Sequence, residues 1–172
     1  MDRAELQALQ QPLKERYREQ PETALVTLAA EGSLDEQSVS CSVATGRALV
    51  EAGLHPATGG SGALVCSGDM LLQALAACAG VTLRAVATSL EIPVSGTVRA
   101  EGDLDFRGTL GVAKDENVPV GFQAIRLVFE LESEAAGEQL DTLLRLTRRY
   151  CVVLQTLTAG VPVDVAASLS PR

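Results

Sequence analysis

The 172-residue chain has one histidine, His55, and its four cysteines, Cys41, Cys66, Cys78 and Cys151, include no Cys-x-x-Cys pair. The ligand spacings of zinc sites are therefore missing, and neither a metal nor a cofactor is expected. Basic runs are missing as well. Fourteen Lys and Arg stand against 22 Asp and Glu, a net charge of -8, so a nucleic-acid backbone is a poor partner. The longest apolar segment, Met70 to Leu90, is interrupted by Gln73 and Arg84, and the opening Met1-Asp2-Arg3-Ala4-Glu5 carries charge where an export signal needs apolar residues. The expectation is a soluble, cytoplasmic protein without a membrane partner. In a reducing compartment its cysteines read as free, reactive or buried thiols before they read as structural disulfides.

At 47% hydrophobic and 21% charged residues, the composition fits a single domain spanning 1–172. Residues Ala4 to Glu19 repeat Leu6, Leu9, Leu13 and Tyr17 at spacings of three and four, which predicts a surface helix that ends before Pro21. Strands are predicted at Ala24 to Ala29 and at Ser38 to Val43, the second with Cys41 pointing inward. The stretch Gly59-Gly60-Ser61-Gly62 lacks the Gly-Lys-Ser/Thr ending of a phosphate loop and reads as a flexible connection; His55 beside it reads as an exposed loop residue ahead of a catalytic base.

A short apolar run at Ala63 to Cys66 leads into Ser67-Gly68-Asp69, a helix-start signal, and a helix from Met70 to about Leu90. It places Leu71, Leu75, Cys78 and Thr82 in one line and is apolar enough to be buried on most of its surface, with Pro93 ending it. Val94 to Phe106 alternates Val98, Ala100, Leu104 and Phe106 with Arg99, Glu101, Asp103 and Asp105; Ile125, Leu127, Phe129 and Leu131 repeat the pattern beyond a loop at 107–122. The two runs predict a long antiparallel hairpin. A last helix is predicted from about Glu138 to Thr158, with Leu140, Leu143, Leu144, Thr147, Cys151 and Leu154 on one face, and a final strand through Val163, Val165, Ala167 and Leu169. Arg145, Arg148 and Arg149 read as helix pairing and dipole compensation ahead of an anion site. The order is that of an α+β fold with one helix apolar enough to want a partner subunit.

The segment Met70-Leu-Leu-Gln-Ala-Leu-Ala-Ala-Cys78-Ala-Gly-Val-Thr-Leu-Arg84, followed by Arg148-Arg-Tyr-Cys151-Val-Val, resembles the OsmC/Ohr family from about residue 24 to the end, with residues 1–20 as an added helix. The resemblance implies a six-stranded α+β protomer whose antiparallel sheet wraps around two central helices in an intertwined homodimer. It also implies a thiol peroxidase for organic hydroperoxides, restored by an external dithiol. Cys78 matches the attacking cysteine and Cys151 the resolving one. Thiolate attack at Cys78 would leave a sulfenic acid, which Cys151 converts to a disulfide.

Cys78 lies about nine residues inside its helix, too deep to use that helix's own dipole, so some other group must favour its thiolate. In the family this is an arginine held by a glutamate. Asp69 stands at roughly the glutamate's place, one methylene shorter; the stretch Gly32 to Gln37, where the arginine is expected, has none, and Arg47 is the nearest substitute, which in an intertwined dimer would act in trans. Asp69 also reads as a helix N-cap, which is the favoured role, and Val152 stands where the family usually has proline. Cys41 and Cys66 read as structural, with Cys66 near enough to the helix start to reach the same pocket. The rival readings are a non-catalytic relative that binds a small apolar ligand or senses redox state, and acyl or alkyl transfer at Cys78.

Overall fold

The computed structural model describes residues 2–20, 32–34, 40–44, 49–111 and 118–168. Helix α1, Arg3–Glu19, opens on a reciprocal cap: the Glu5 N–H donates to Asp2 Oδ1 at 2.8 Å and the Asp2 N–H to Glu5 Oε2 at 2.9 Å. Strands β1 (Gly32–Leu34), β2 (Ser40–Ala44), β3 (Leu49–Gly53) and β4 (Val65–Cys66) follow, then α2 (Ser67–Leu90), β5 (Ser95–Leu104), a short helix α3 (Phe106–Thr109), β6 (Phe122–Glu132), α4 (Gly137–Tyr150) and α5 (Val152–Ala159). β1 to β4 form one sheet in chain order, antiparallel except for the two-residue parallel pairing of β3 with β4; β5 and β6 form an antiparallel hairpin. The expected strand at 24–29, the side chain of Cys41 and all of Arg47 lie outside the described residues.

The hairpin confirms the two alternating runs. Its register sets Val98 against Phe129, Ala100 against Leu127 and Gly102 against Ile125, so these residues share one face. The opposite face carries an exposed charge ladder in which Arg126 pairs with Asp103 and Glu101, and Arg99 with Glu101 and Glu130. Gly102 is required by packing: a Cβ there would sit 2.4 Å from the Phe122 ring. Phe106, expected at the strand's end, instead starts α3, because the Asp105 carboxylate caps that turn by accepting the Arg107 N–H at 3.0 Å.

The apolar layer lies between the hairpin and three helices. Leu75, Ala79, Leu83 and Ala87 form the buried line of α2, one residue every four, and small alanines let α4 and β5 approach closely. Leu83, Ala87, Ile92 and Leu143 form one core cluster among the described residues; Leu75, Ala79 and Cys151 form a second, packed by Cys78, Val98, Ala100, Ile125, Leu127 and Phe129. α2 ends where Glu91 adopts a left-handed conformation, φ 55, with Pro93 two residues on. Arg3 reaches Glu91 at 2.7 Å and fastens α1 to that end.

Four expectations are corrected. First, α2 is buried along one line, not over most of its surface: Leu71 is exposed and Val81 is 72% exposed, because the chain's own elements cover only one side of the helix. By length and composition α2 could cross a membrane, but here it packs on α1, α4, α5 and β5. Second, the last helix is broken at Cys151, whose φ of -71 and ψ of 104 are extended. Third, residues 161–168 form no strand, with Leu169 outside the described residues; Val163 and Val165 are 80% and 92% exposed, with no strand pairing among the described residues. Fourth, Asp69 is not the N-cap of α2, a position held by Cys66; Asp69 is the third helical residue and meets the dipole from the first turn.

Truncating Leu143, which has no exposed surface, to alanine is expected to cost about 2–5 kcal/mol by cavity formation, measured by urea unfolding. Gly102→Ala is expected to cost about 1–3 kcal/mol in the same assay, because Phe122 must leave its place.

Candidate functional site: a thiol pair at a broken helix

Cys78 sits in the fourth turn of α2, beside the buried Leu75 and Ala79, and Cys151 occupies the junction of α4 and α5 with no exposed surface. Helix α2 packs on both α4 and α5 and brings the thiols together, so that Cys151 hydrogen-bonds the Cys78 sulfur. Both are free thiols. The packing around them is apolar, supplied by Val98, Ala100, Ile125, Leu127, Phe129 and Leu154.

The break at Cys151 governs the electrostatics. In a continuous helix the Val152 N–H would donate to the Arg148 carbonyl four residues back. Here the Cys151 N–H closes the last bond of α4 on Thr147 O at 3.0 Å, and the Gln155 N–H opens α5 on Cys151 O at 2.9 Å. The intervening amides of Val152 and Val153 begin α5 and donate to the Cys78 sulfur. Gln155 Nε2 donates to the vacated Arg148 carbonyl at 2.8 Å. Two consecutive β-branched residues at 152 and 153 also weaken the case for uninterrupted helix.

Burial alone would push the Cys78 thiol up. The Val153 amide, the Cys151 thiol and the Val152 amide outweigh it by hydrogen-bonding the thiolate, and the net result lies below the ordinary 9.0. Thr82 also stands within reach, but its single hydroxyl proton is given to the Cys78 carbonyl at 2.8 Å, so the amides and the Cys151 thiol are the effective donors. Cys151 moves the opposite way: burial pushes it above 9.0, and the charge on Cys78 adds to the effect against the Leu154 and Val153 amides. In this pair Cys78 ionises first and Cys151 keeps its proton. The need for a compensating group, argued from the depth of Cys78 in α2, is met among the described residues by uncharged donors.

Sequence reasoning put both cysteines on one helical face each but missed the break and the amides it frees. The signal available was Val152-Val153 followed by Gln155, a long amide side chain able to cap the interrupted turn.

Asp69 is not brought to the thiol pair. Nine residues along α2 amount to about 13 Å, and Asp69 lines a different cavity of about 360 Å³ with His55, Cys66, Asp103, Phe106 and Phe122. Cys66 therefore does not share the pocket of the pair, which corrects the expectation that it would reach it. His55 is half-buried rather than exposed: its ring stacks on Phe106 at 4.7 Å, and its Nδ1 accepts the Ala57 N–H at 3.1 Å, which commits that nitrogen to the turn. No group of three or more His, Cys, Asp or Glu able to hold a metal occurs among the described residues.

Beside the thiols a groove of about 570 Å³ runs between β6 and the α4–α5 junction. Ile125, Leu127, Phe129 and Leu154 form its apolar wall and also pack the thiol cluster, with Arg148, Gln155 and Thr158 as polar edges.

Residues 60–166, more than half of the chain, match the model of the family described as OsmC-like protein. Among solved structures, an OsmC-like protein from Mycoplasma pneumoniae superposes with a TM-score of 0.63 at 18% identity, covering 77% of this chain and 88% of that one. An organic hydroperoxide resistance protein OsmC from Legionella pneumophila gives 0.55 at 16% identity, covering 77% and 90%. An organic hydroperoxide resistance protein from Elizabethkingia anophelis gives 0.54 at 18%, covering 77% and 89%. No curated protein sequence matches the chain. The family match over residues that include both thiols, together with the shared α+β fold, establishes that this chain belongs to the OsmC/Ohr family.

Proposed function

We propose that this protein is a thiol-dependent peroxidase for organic hydroperoxides, with Cys78 as attacking thiolate and Cys151 as resolving thiol. One observation carries the reading: two thiols in contact whose acidities are driven apart, the first down and the second up. The Cys78 thiolate attacks the terminal oxygen of ROOH; the S–O bond forms, the O–O bond breaks, and the alkoxide takes a proton from water to leave as alcohol. Sulfur is oxidised by two electrons to Cys78–SOH. The Cys151 thiol then loses its proton and attacks that sulfur, closing the disulfide and releasing water. A small external dithiol, of the kind kept reduced in the cytoplasm, returns both thiols.

The apolar groove beside the pair supports organic over inorganic peroxide. It equally favours a second reading, that of a relative holding a small apolar ligand over inert thiols. Asp69 lies too far along α2 for direct contact with the sulfur, so a role for it runs through a cation such as Arg47.

A homodimer is part of the proposal. The uncovered side of α2 around Val81 and the exposed valines at 163 and 165 support a second copy that would cover both. Sedimentation is expected to give twice the 18.0 kDa chain mass, and Val81→Asp is expected to shift it toward one.

The deciding experiment is intact mass and peptide mapping after one equivalent of cumene hydroperoxide. The wild type should lose two hydrogens, mapped to Cys78–Cys151, and Cys151→Ser should hold a trappable sulfenic acid on Cys78. Thiols unmodified after minutes of exposure would leave the ligand-binding reading. Alkylation by iodoacetamide as a function of pH should give Cys78 a midpoint below 9.0 and Cys151 one above it.

A further inference from the structure

The amides that favour the Cys78 thiolate are available only while the helix stays broken at Cys151, so whatever holds the break open acts on the sulfur at one remove. The break has one side-chain tie among the described residues. Gln155 Nε2 donates to the Arg148 carbonyl at 2.8 Å, across seven residues, to the acceptor that Val152 would use in a continuous helix. The two donors compete for a single carbonyl. If the Val152 N–H takes it, α4 runs on through Cys151 and the Val152 and Val153 amides turn into the helix, away from Cys78. If Gln155 takes it, both amides remain free.

We propose that Gln155 is a positioning residue for the thiol chemistry: by occupying the Arg148 carbonyl it keeps the amino end of α5 aimed at the Cys78 sulfur. The bond forms in the broken arrangement alone, and an interaction made in one of two states shifts the population toward that state. The proposal rests on the reading of Cys78 as the reactive thiol, but it concerns ionisation and is tested without peroxide.

The other groups around the sulfur leave this role open. Cys151, at the junction, is the titratable partner. β5 and β6 present the apolar Val98, Ala100, Ile125, Leu127 and Phe129. On α2 itself, Asp69 and Arg84 are exposed and lie away from this cluster, and Arg84 Nη1 is spent on the Val94 carbonyl at 2.8 Å. Arg148 lines the neighbouring groove from α4, and its side chain is unaltered by the exchange of donors at its carbonyl.

The test is the pH dependence of Cys78 alkylation, read by peptide mass, in wild type, Gln155→Met and Gln155→Met with Val152→Pro. Methionine keeps the length and removes the donor. Proline at 152 has no N–H to offer the Arg148 carbonyl and restricts Cys151 to the extended conformation it already holds, so it enforces the break without Gln155. Gln155→Met is expected to raise the Cys78 midpoint by about half to one unit, about three- to tenfold less thiolate at pH 7. The added proline is expected to bring it back down, through the Val153 amide, which donates to the sulfur ahead of Val152. An unchanged midpoint in a folded Gln155→Met, or a raised midpoint that the proline fails to lower, overturns the proposal. Should Gln155→Met not fold, the double variant decides: a low midpoint supports the inference and an ordinary one defeats it. If the midpoints behave as expected and none of these proteins turns over hydroperoxide, the peroxidase reading fails while the positioning role stands.

Discussion

Two backbone amides, those of Val152 and Val153, can satisfy either a helix or a sulfur, and the lowered pKa of Cys78 depends on their serving the sulfur. A buried thiol ordinarily resists ionisation because the apolar interior solvates charge poorly. Fixed amide dipoles offset that cost without bringing a second charge into the core. Because α5 begins at the break, its first N–H groups have no intrahelical partner, and their orientation is set by the backbone rather than by a flexible side chain.

The same junction divides the labour between the thiols. Cys151 donates to Cys78 and in doing so raises its own resistance to ionisation, so one contact makes the first thiol more acidic and the second less. The packing that holds them is ordinary: small residues on α2 let it sit close to α4 and β5, and the hairpin's apolar face closes the cluster. The thiol pair sits among small and apolar side chains, and alanine, leucine and valine make up just over half of the 24 residues of α2.

The molecule is also incompletely covered. α2 is buried along one line and bare along another, while residues 161–168 take no regular secondary structure and are exposed. Val81 on α2 and Val163 and Val165 leave apolar surface bare on or next to the elements that hold the thiols, and this is where the proposed second copy would sit. The cavity of His55, Cys66 and Asp69 is a distinct feature at the other end of α2, where the hairpin and the short α3 meet it.

Much of the fold could be read directly from residue patterns. Period-two alternation at Val98 to Leu104 and Ile125 to Leu131 determined the hairpin and its inward face, because side chains on a strand have no other way to sort. Alanine and leucine density, followed by Pro93, determined α2. The segment quoted around Cys78 and Cys151 determined the family. Tertiary structure decided what these patterns leave degenerate. Helical periodicity runs smoothly through Cys151, so the break is invisible to it; the break exists because Gln155 can satisfy the Arg148 carbonyl while α2 offers Val152 and Val153 another acceptor. Asp69 likewise has the composition of a cap, yet the chain enters the helix three residues earlier through β4. Val163 and Val165 alternate as a strand should, but a strand also needs an edge to pair with, and that is a property of the assembled structure rather than of the segment.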